Sequence, residues 1–193
     1  ANKALDLRYG DGPNETVDVF AGAAPNAPVL IYIHGGYWRA LDKSDSSFVA
    51  PSFVADGAMV VIPNYALCPA VSVEDIALQM VKAVVWTWHH AAAHGGNPAR
   101  IALVGHSAGA HLAAMLLSCR WKQVDEALPL QPLTGALAIS GLYDLEPIRR
   151  TEFLQGDLKL TPAQVNRLSP AFFPRPKAGK LHAVVGADES DEF

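Results

Sequence analysis

Runs of positive charge are missing from this sequence. No stretch of five or more lysines and arginines occurs, and 15 Lys and Arg stand against 19 Asp and Glu, for a formal net charge of −4. That balance gives no electrostatic footing for a nucleic-acid partner. Long apolar runs are missing too, so no bilayer-spanning segment is expected. Cysteine is scarce: Cys68 and Cys119 are the whole complement, without motif spacing, and read as buried free thiols rather than a disulfide or a nucleophile. Internal repeats, low-complexity tracts and clear linkers are lacking, which makes residues 1–193 one expected domain. The opening residues Ala1-Asn2-Lys3-Ala4-Leu5-Asp6 are not a signal peptide, and a cytoplasmic location is expected. Charged residues are only 18% of the chain while hydrophobic ones make up 50%, enough for a large core.

What is present is a regular alternation of strand and helix patterns. Residues 5–9 and 17–20 alternate apolar and polar around the turn cluster Gly10-Asp11-Gly12-Pro13-Asn14, as an antiparallel hairpin at a sheet edge does. Residues 29–33 are continuously apolar, the mark of a strand covered on both faces, and 58–62, 101–104, 135–140 and 181–185 read as further strands. Between them lie helical spacings at 46–55 (interrupted by Pro51), 108–117, 146–155 and 161–167, with 123–134 a loop or short insertion. The clearest helix starts at Ser72, which with Asp75 forms a capping-box pair, and stops at Gly95-Gly96. His90 and His94 share a face near its end. With no acidic third ligand nearby they read as complements to the helix C-terminus, and no metal is expected. The alternation predicts an α/β fold, a mostly parallel sheet with helices on both faces. Sites in such sheets lie at the carboxyl ends of strands. His34-Gly35-Gly36, Ser107, Asp144 and Gly186-Ala187-Asp188-Glu189 all follow strand ends.

Two motifs on that rim carry chemistry. Gly105-His106-Ser107-Ala108-Gly109 sits between a strand and a helix, the setting of a nucleophile elbow. The tight turn lifts the Ser107 hydroxyl above the strand end and aims the Ala108 N–H at a reacting carbonyl. The plainer alternative is a Gly-rich turn packing helix on strand. His34-Gly35-Gly36-Tyr37-Trp38 ends the central strand, and its glycines let backbone N–H groups face a cavity. An ordinary Gly-Gly turn is the competing reading. His34 reads as a brace for this loop rather than a base, and His111 as a packing or capping residue.

With these motifs the chain resembles the α/β-hydrolase superfamily, and within it the hormone-sensitive-lipase-like esterases and arylformamidases (kynurenine formamidases). His34-Gly35-Gly36-Tyr37-Trp38 looks like the family's H-G-G-x-W. Gly186-Ala187-Asp188-Glu189-Ser190-Asp191-Glu192-Phe193 is similar to the segment that carries the triad acid and continues S-x-E-F. The resemblance implies Ser107 as nucleophile and the amides of Gly36, Tyr37 and Ala108 as the oxyanion hole. It implies Glu189 as triad acid, with Asp188 as the alternative and Asp144 a third choice better suited to bracing its loop. Gly35, Trp38 and His106 are implied as lining the substrate pocket, where Tyr37 and Trp38 either stack on an aromatic ring or wall the cavity. One departure is large. The family runs Ser, acid, His, yet all seven histidines here precede Glu189. The expectation is therefore a C-terminally incomplete fold, lacking its last strand and helix, with the triad histidine beyond Phe193 or on another chain.

The expected function is cleavage of a small carboxylic ester or N-formyl/aryl amide through an acyl-serine, without cofactor. The partner is the small-molecule substrate, with a homodimer also considered. The competing class is a non-catalytic small-molecule-binding protein on the same fold. Within the hydrolases, a peptidase or a dienelactone-hydrolase-like enzyme competes.

Overall fold

The computed structural model describes residues 2–176 and 178–189. The expected continuation Ser190-Asp191-Glu192-Phe193 lies outside the described residues. Seven strands form one sheet. β1 (Asn2–Arg8) and β2 (Thr16–Ala21) make the predicted antiparallel hairpin, with Leu7 opposite Val17. β3 (Ala27–Ile33) lies between β4 (Met59–Pro63) and β5 (Gly96–His106), parallel to both. β6 (Leu133–Ile139) and β7 (Lys180–Val184) extend the parallel run, giving the order β1-β2-β4-β3-β5-β6-β7. All five residues of β7 are exposed. The hairpin is tied to the body by buried Lys43, whose Nζ lies 2.7 Å from Asp18 and 2.8 Å from Asp6. That pairing offsets the cost of burying the Asp18 charge.

The two faces of the sheet follow the period-2 alternation of strand side chains. Val29, Ile31 and Ile33 of β3 and Met59 and Val61 of β4 pack into the larger core. Leu30 and Tyr32 of β3 join Val60 and Ile62 of β4 on the other side, against Ala50 and Val54. Those last two belong to α1 (Ala50–Ala55). The larger core is covered by α2 (Val73–His90) and α3 (Ala108–Leu117). α2 begins as read from its sequence: Asp75 N–H donates to Ser72 Oγ (3.1 Å) and Ser72 N–H to the Asp75 carboxylate (2.9 Å). Helices thus cover both faces, as expected.

Several element boundaries differ from the sequence reading: α2 ends at His90, with a 3₁₀ turn, Ala91–His94, before Gly95, and β5 starts at Gly96 rather than at residue 101. The segment 46–55 is a 3₁₀ turn, Lys43–Val49, running into α1. A capping box between Asp42 and Asp45 starts it early, and Pro51 falls in the first turn of α1, where no N–H is needed. The stretch read as loop or insertion, 123–134, is preceded and overlapped at its first two residues by α4 (Trp121–Val124), anchored by fully buried Trp121. The single helix expected at 146–155 is two, α5 (Glu146–Arg150) and α6 (Glu152–Leu158), because Thr151 is extended at ψ 112°. α7 (Pro162–Leu168) follows, capped by Thr161.

Candidate active site

The rim of the sheet is built around Ser107. β5 enters α3 through this residue, whose backbone sits at φ 56°, ψ −119°. That region suits glycine, and a serine there stores about 1–3 kcal/mol of strain. The neighbours hold the turn. Ser107 N–H donates to Ile139 O (2.8 Å), and Ser107 O accepts the N–H groups of Ala110 (3.0 Å) and His111 (3.2 Å). Both flanking glycines are needed for contact. A Cβ on Gly105 would lie 2.2 Å from Gly109 O, and one on Gly109 would lie 2.0 Å from Ile33 O.

The His34-Gly35-Gly36 loop lies directly against this elbow. A Cβ on Gly35 would be 3.1 Å from Ser107 Cβ and 2.9 Å from His106 O. Gly36, Tyr37 and Trp38 then take φ of 102°, 50° and 57° in succession. Gly36 O closes the turn by accepting the N–H groups of Arg39 and Ala40, each at 3.0 Å. Among the described residues the amides of Gly36, Tyr37 and Ala108 donate to no backbone carbonyl. Gly36 and Tyr37 are partly exposed, so amides that no carbonyl takes, set beside a strained serine, are open to an anion. His34 braces the loop as read from sequence. Its ring stacks on Tyr65 with centroids 4.1 Å apart, and Nδ1–H donates to Gly35 O at 2.8 Å. The Tyr65 hydroxyl donates to His34 O (2.9 Å) and Gly35 O (3.1 Å). Burial pushes the His34 pKa down, keeping the imidazole neutral.

Trp38 is corrected by the structure. It does not line the pocket: it is fully buried in the core and meets His111 edge-on with centroids 5.0 Å apart. The left-handed turn at residues 36–38 carries its indole inward, while Tyr37 stays half-buried at the surface. His111 is also core. Its Nε2–H donates to Leu168 O at 2.6 Å, and burial pushes its pKa down to about 4.

The acid side of the rim lies past β6 and β7. Glu189 Oε1 accepts the Ser140 hydroxyl at 2.5 Å and the Gly186 N–H at 3.0 Å. The Ser140 hydroxyl holds this carboxyl below the usual carboxylate range, with the Gly186 amide and, more weakly, His106 adding to the effect. Asp188 is exposed, and the competitor Asp144 caps its own loop by accepting the Glu146 N–H at 2.9 Å. Sequence reasoning passed over Ser140. Its one signal was its place: the first residue past β6, as Ser107 is the first past β5.

No histidine among the described residues bonds to the Ser107 hydroxyl. His89 pairs with Asp125 at 2.7 Å, and His90 Nδ1–H donates to Trp86 O at 2.8 Å. His34 and His111 are committed to the carbonyls named above, and His182 is exposed on β7. His106, adjacent to Ser107, is exposed on the rim. No group of three or more His, Cys, Asp or Glu placed for a metal occurs among the described residues. A cleft of about 490 Å³ opens beside the loop, walled by Tyr37, Leu142, Tyr143, Ile148 and Phe153. Tyr37 and Phe153 meet edge to face there, 6.0 Å apart. Of the predicted pocket residues, Gly35 and His106 lie at the elbow rather than in the lining of this cleft.

The family model described as alpha/beta hydrolase fold matches residues 30–189. The chain belongs to the α/β-hydrolase fold family. Within that family it is similar to the zebrafish (Danio rerio) protein named kynurenine formamidase, 38% identical over 171 residues, covering 88% of this chain and 56% of the relative. The protein of the same name from Salmo salar is 36% identical over 200 residues, covering 100% of this chain and 65% of the relative. A crystal structure of a thioesterase candidate from a Silicibacter species superposes with a TM-score of 0.86 at 32% identity, covering 98% of this chain and 69% of that one. The chain therefore spans 56% and 65% of the length of these curated relatives. No helix among the described residues is long and apolar enough to cross a membrane.

Proposed function

We propose that the full-length protein is a serine hydrolase that cleaves a small carboxylic ester or N-formyl aryl amide through a covalent acyl-Ser107. The observation that carries this reading is the strained backbone of Ser107, φ 56° and ψ −119°, at a strand-to-helix elbow lined by unpaired amides. Strain of this kind persists where the surrounding structure enforces it, and here it presents the hydroxyl.

In this reading Ser107 Oγ attacks the carbonyl carbon while an imidazole takes its proton. The amides of Gly36, Tyr37 and Ala108 receive the developing oxyanion, each worth about 3 kcal/mol in the transition state. The leaving alcohol or amine takes the proton back, and water then releases the acyl or formyl group from Ser107. Glu189 orients the imidazole and stabilises its charged form. None of the seven histidines of this chain fills the role of base in the described structure. The proposal takes that histidine from a further segment of the whole protein.

The aromatic walls Tyr37, Tyr143 and Phe153 suit a planar ring in the substrate. The names of the curated relatives point the same way, toward an N-formylated aromatic amine. The test is Ser107→Ala in the full-length protein, assayed with p-nitrophenyl acetate and an N-formyl aryl amine. Hydrolysis of both is lost with the far-UV circular dichroism unchanged, and a fluorophosphonate no longer labels the protein. Residual activity above a few per cent removes Ser107 as the nucleophile, and a wild type that neither hydrolyses these substrates nor takes the fluorophosphonate label favours a binding role for the fold.

A further inference from the structure

Ser140 takes no part in the scheme above, yet it is the side chain through which the rim holds Glu189. Its backbone is left-handed at φ 50°, a conformation that costs a residue with a Cβ. The N–H pins it there by donating to Val184 O at 2.8 Å, at the head of the β6–β7 pair. The residue is only 5% exposed, and its hydroxyl meets Glu189 Oε1 at 2.5 Å. That oxygen also takes the Gly186 N–H, while the Glu189 N–H closes the same turn onto Gly186 O at 3.1 Å.

An exposed carboxylate needs none of this for solvation, because water satisfies it without strain. What the arrangement adds is fixation. One carboxylate oxygen is locked by two donors and the backbone at Glu189 is closed in a turn. Oε2 accepts no hydrogen bond from Ser140 or Gly186, the two groups that hold Oε1. A carboxylate gripped by one oxygen and open at the other is what orients an imidazole.

We propose that Ser140 is a positioning residue of the hydrolase, its hydroxyl locking Glu189 Oε1 so that Oε2 faces the catalytic imidazole. This rests on Glu189 as the triad acid. The test is a double-mutant cycle in the full-length protein with p-nitrophenyl acetate. Ser140→Ala lowers kcat about tenfold, the worth of one charge-assisted hydrogen bond, and leaves KM within about twofold. Ser140→Gly, which adopts φ 50° without strain, gives the same fall and serves if the alanine variant does not fold. On a Glu189→Ala background, which removes the acceptor altogether, Ser140→Ala changes kcat by less than about twofold, because the interaction it removes is already gone. An equal loss on both backgrounds, or an unchanged kcat in a folded Ser140 variant, overturns the proposal. Wild-type kcat in Glu189→Ala alone overturns the acid assignment and the proposal with it, which separates the two failures.

Discussion

Gly35→Ala tests the seam between the two motifs with a single methyl group. Gly35 is not among the residues with left-handed backbone, so alanine brings no conformational strain of its own. What it brings is bulk at a closed contact. The new Cβ would stand 2.9 Å from His106 O, 3.1 Å from Ser107 Cβ and 3.3 Å from His106 Nδ1. The first contact is backbone and cannot swing away, so the loop retreats from the elbow by several tenths of an ångström. The overpacking costs about 1–3 kcal/mol of stability, which a urea melt reads directly. Catalysis suffers more selectively. The amides of Gly36 and Tyr37 ride on the retreating loop, while Ala108 stays with α3. Two of the three proposed oxyanion donors then sit too far from the tetrahedral oxygen. An intact donor supplies about 3 kcal/mol, and weakening two of them lowers kcat by about 10- to 100-fold. KM for p-nitrophenyl acetate stays within about threefold, because the hole acts on the transition state rather than the ground state. Fluorophosphonate labelling of Ser107 continues at a reduced rate. A folded Gly35→Ala variant whose kcat is unchanged would show that this loop does not carry the oxyanion donors. A loss confined to KM would make it a substrate-binding loop instead.

Two further outcomes follow from buried polar groups. His111 is protonated in the unfolded chain below pH 6.5 but only near pH 4 in the fold, so its contribution is intact above pH 6.5 and is lost as the pH falls toward 4. Between pH 7 and 4.5 that loss is about 2 kcal/mol; urea melts of the wild type should fall by that much more than those of His111→Gln, and equal falls refute the buried neutral imidazole. The Tyr143 hydroxyl is buried without a partner, folded back so that a Gly141 Cβ would stand 2.3 Å from it. Tyr143→Phe therefore leaves stability unchanged or raises it by up to about 1 kcal/mol in a thermal melt, and a loss of more than that shows a bonded hydroxyl.

The sheet was readable because its strands are locally self-consistent. Residues 29–33 carry β-branched and large apolar side chains that both faces require, and they form β3 between two parallel neighbours. The start of the helix at Ser72 was readable to the residue, since a capping box is a local chemical device that needs nothing from the rest of the chain. Boundaries failed where a tertiary contact decided. Nothing in residues 146–155 announces the break at Thr151, and the short α4 exists to bury Trp121. Ser140 was invisible for the same reason. A serine after a strand is unremarkable until a carboxylate 49 residues later is found 2.5 Å from it.

Trp38 was misread for a more instructive reason. The sequence presents His34-Gly35-Gly36-Tyr37-Trp38 and Gly105-His106-Ser107-Ala108-Gly109 as two motifs that meet at a substrate. In the fold they are one packed body before any substrate arrives. Gly109 admits Ile33 O where a Cβ would stand 2.0 Å away, and Gly35 lies against Ser107. Trp38 completes the joint, its indole meeting His111 edge to face one helical turn past Ser107. The aromatic at the end of the first motif thus ties the Gly36–Tyr37 loop to α3, and of the two aromatics only Tyr37 is left to face the cleft. A transition-state site depends on the distance between its amides and its hydroxyl more than on any single contact with substrate, because a donor displaced by an ångström no longer reaches the oxygen it is meant to stabilise. Trp38→Phe, which keeps an aromatic edge at His111 but removes the larger ring, should therefore lower kcat while leaving KM for a short ester unchanged. A change in KM alone would return Trp38 to the pocket wall.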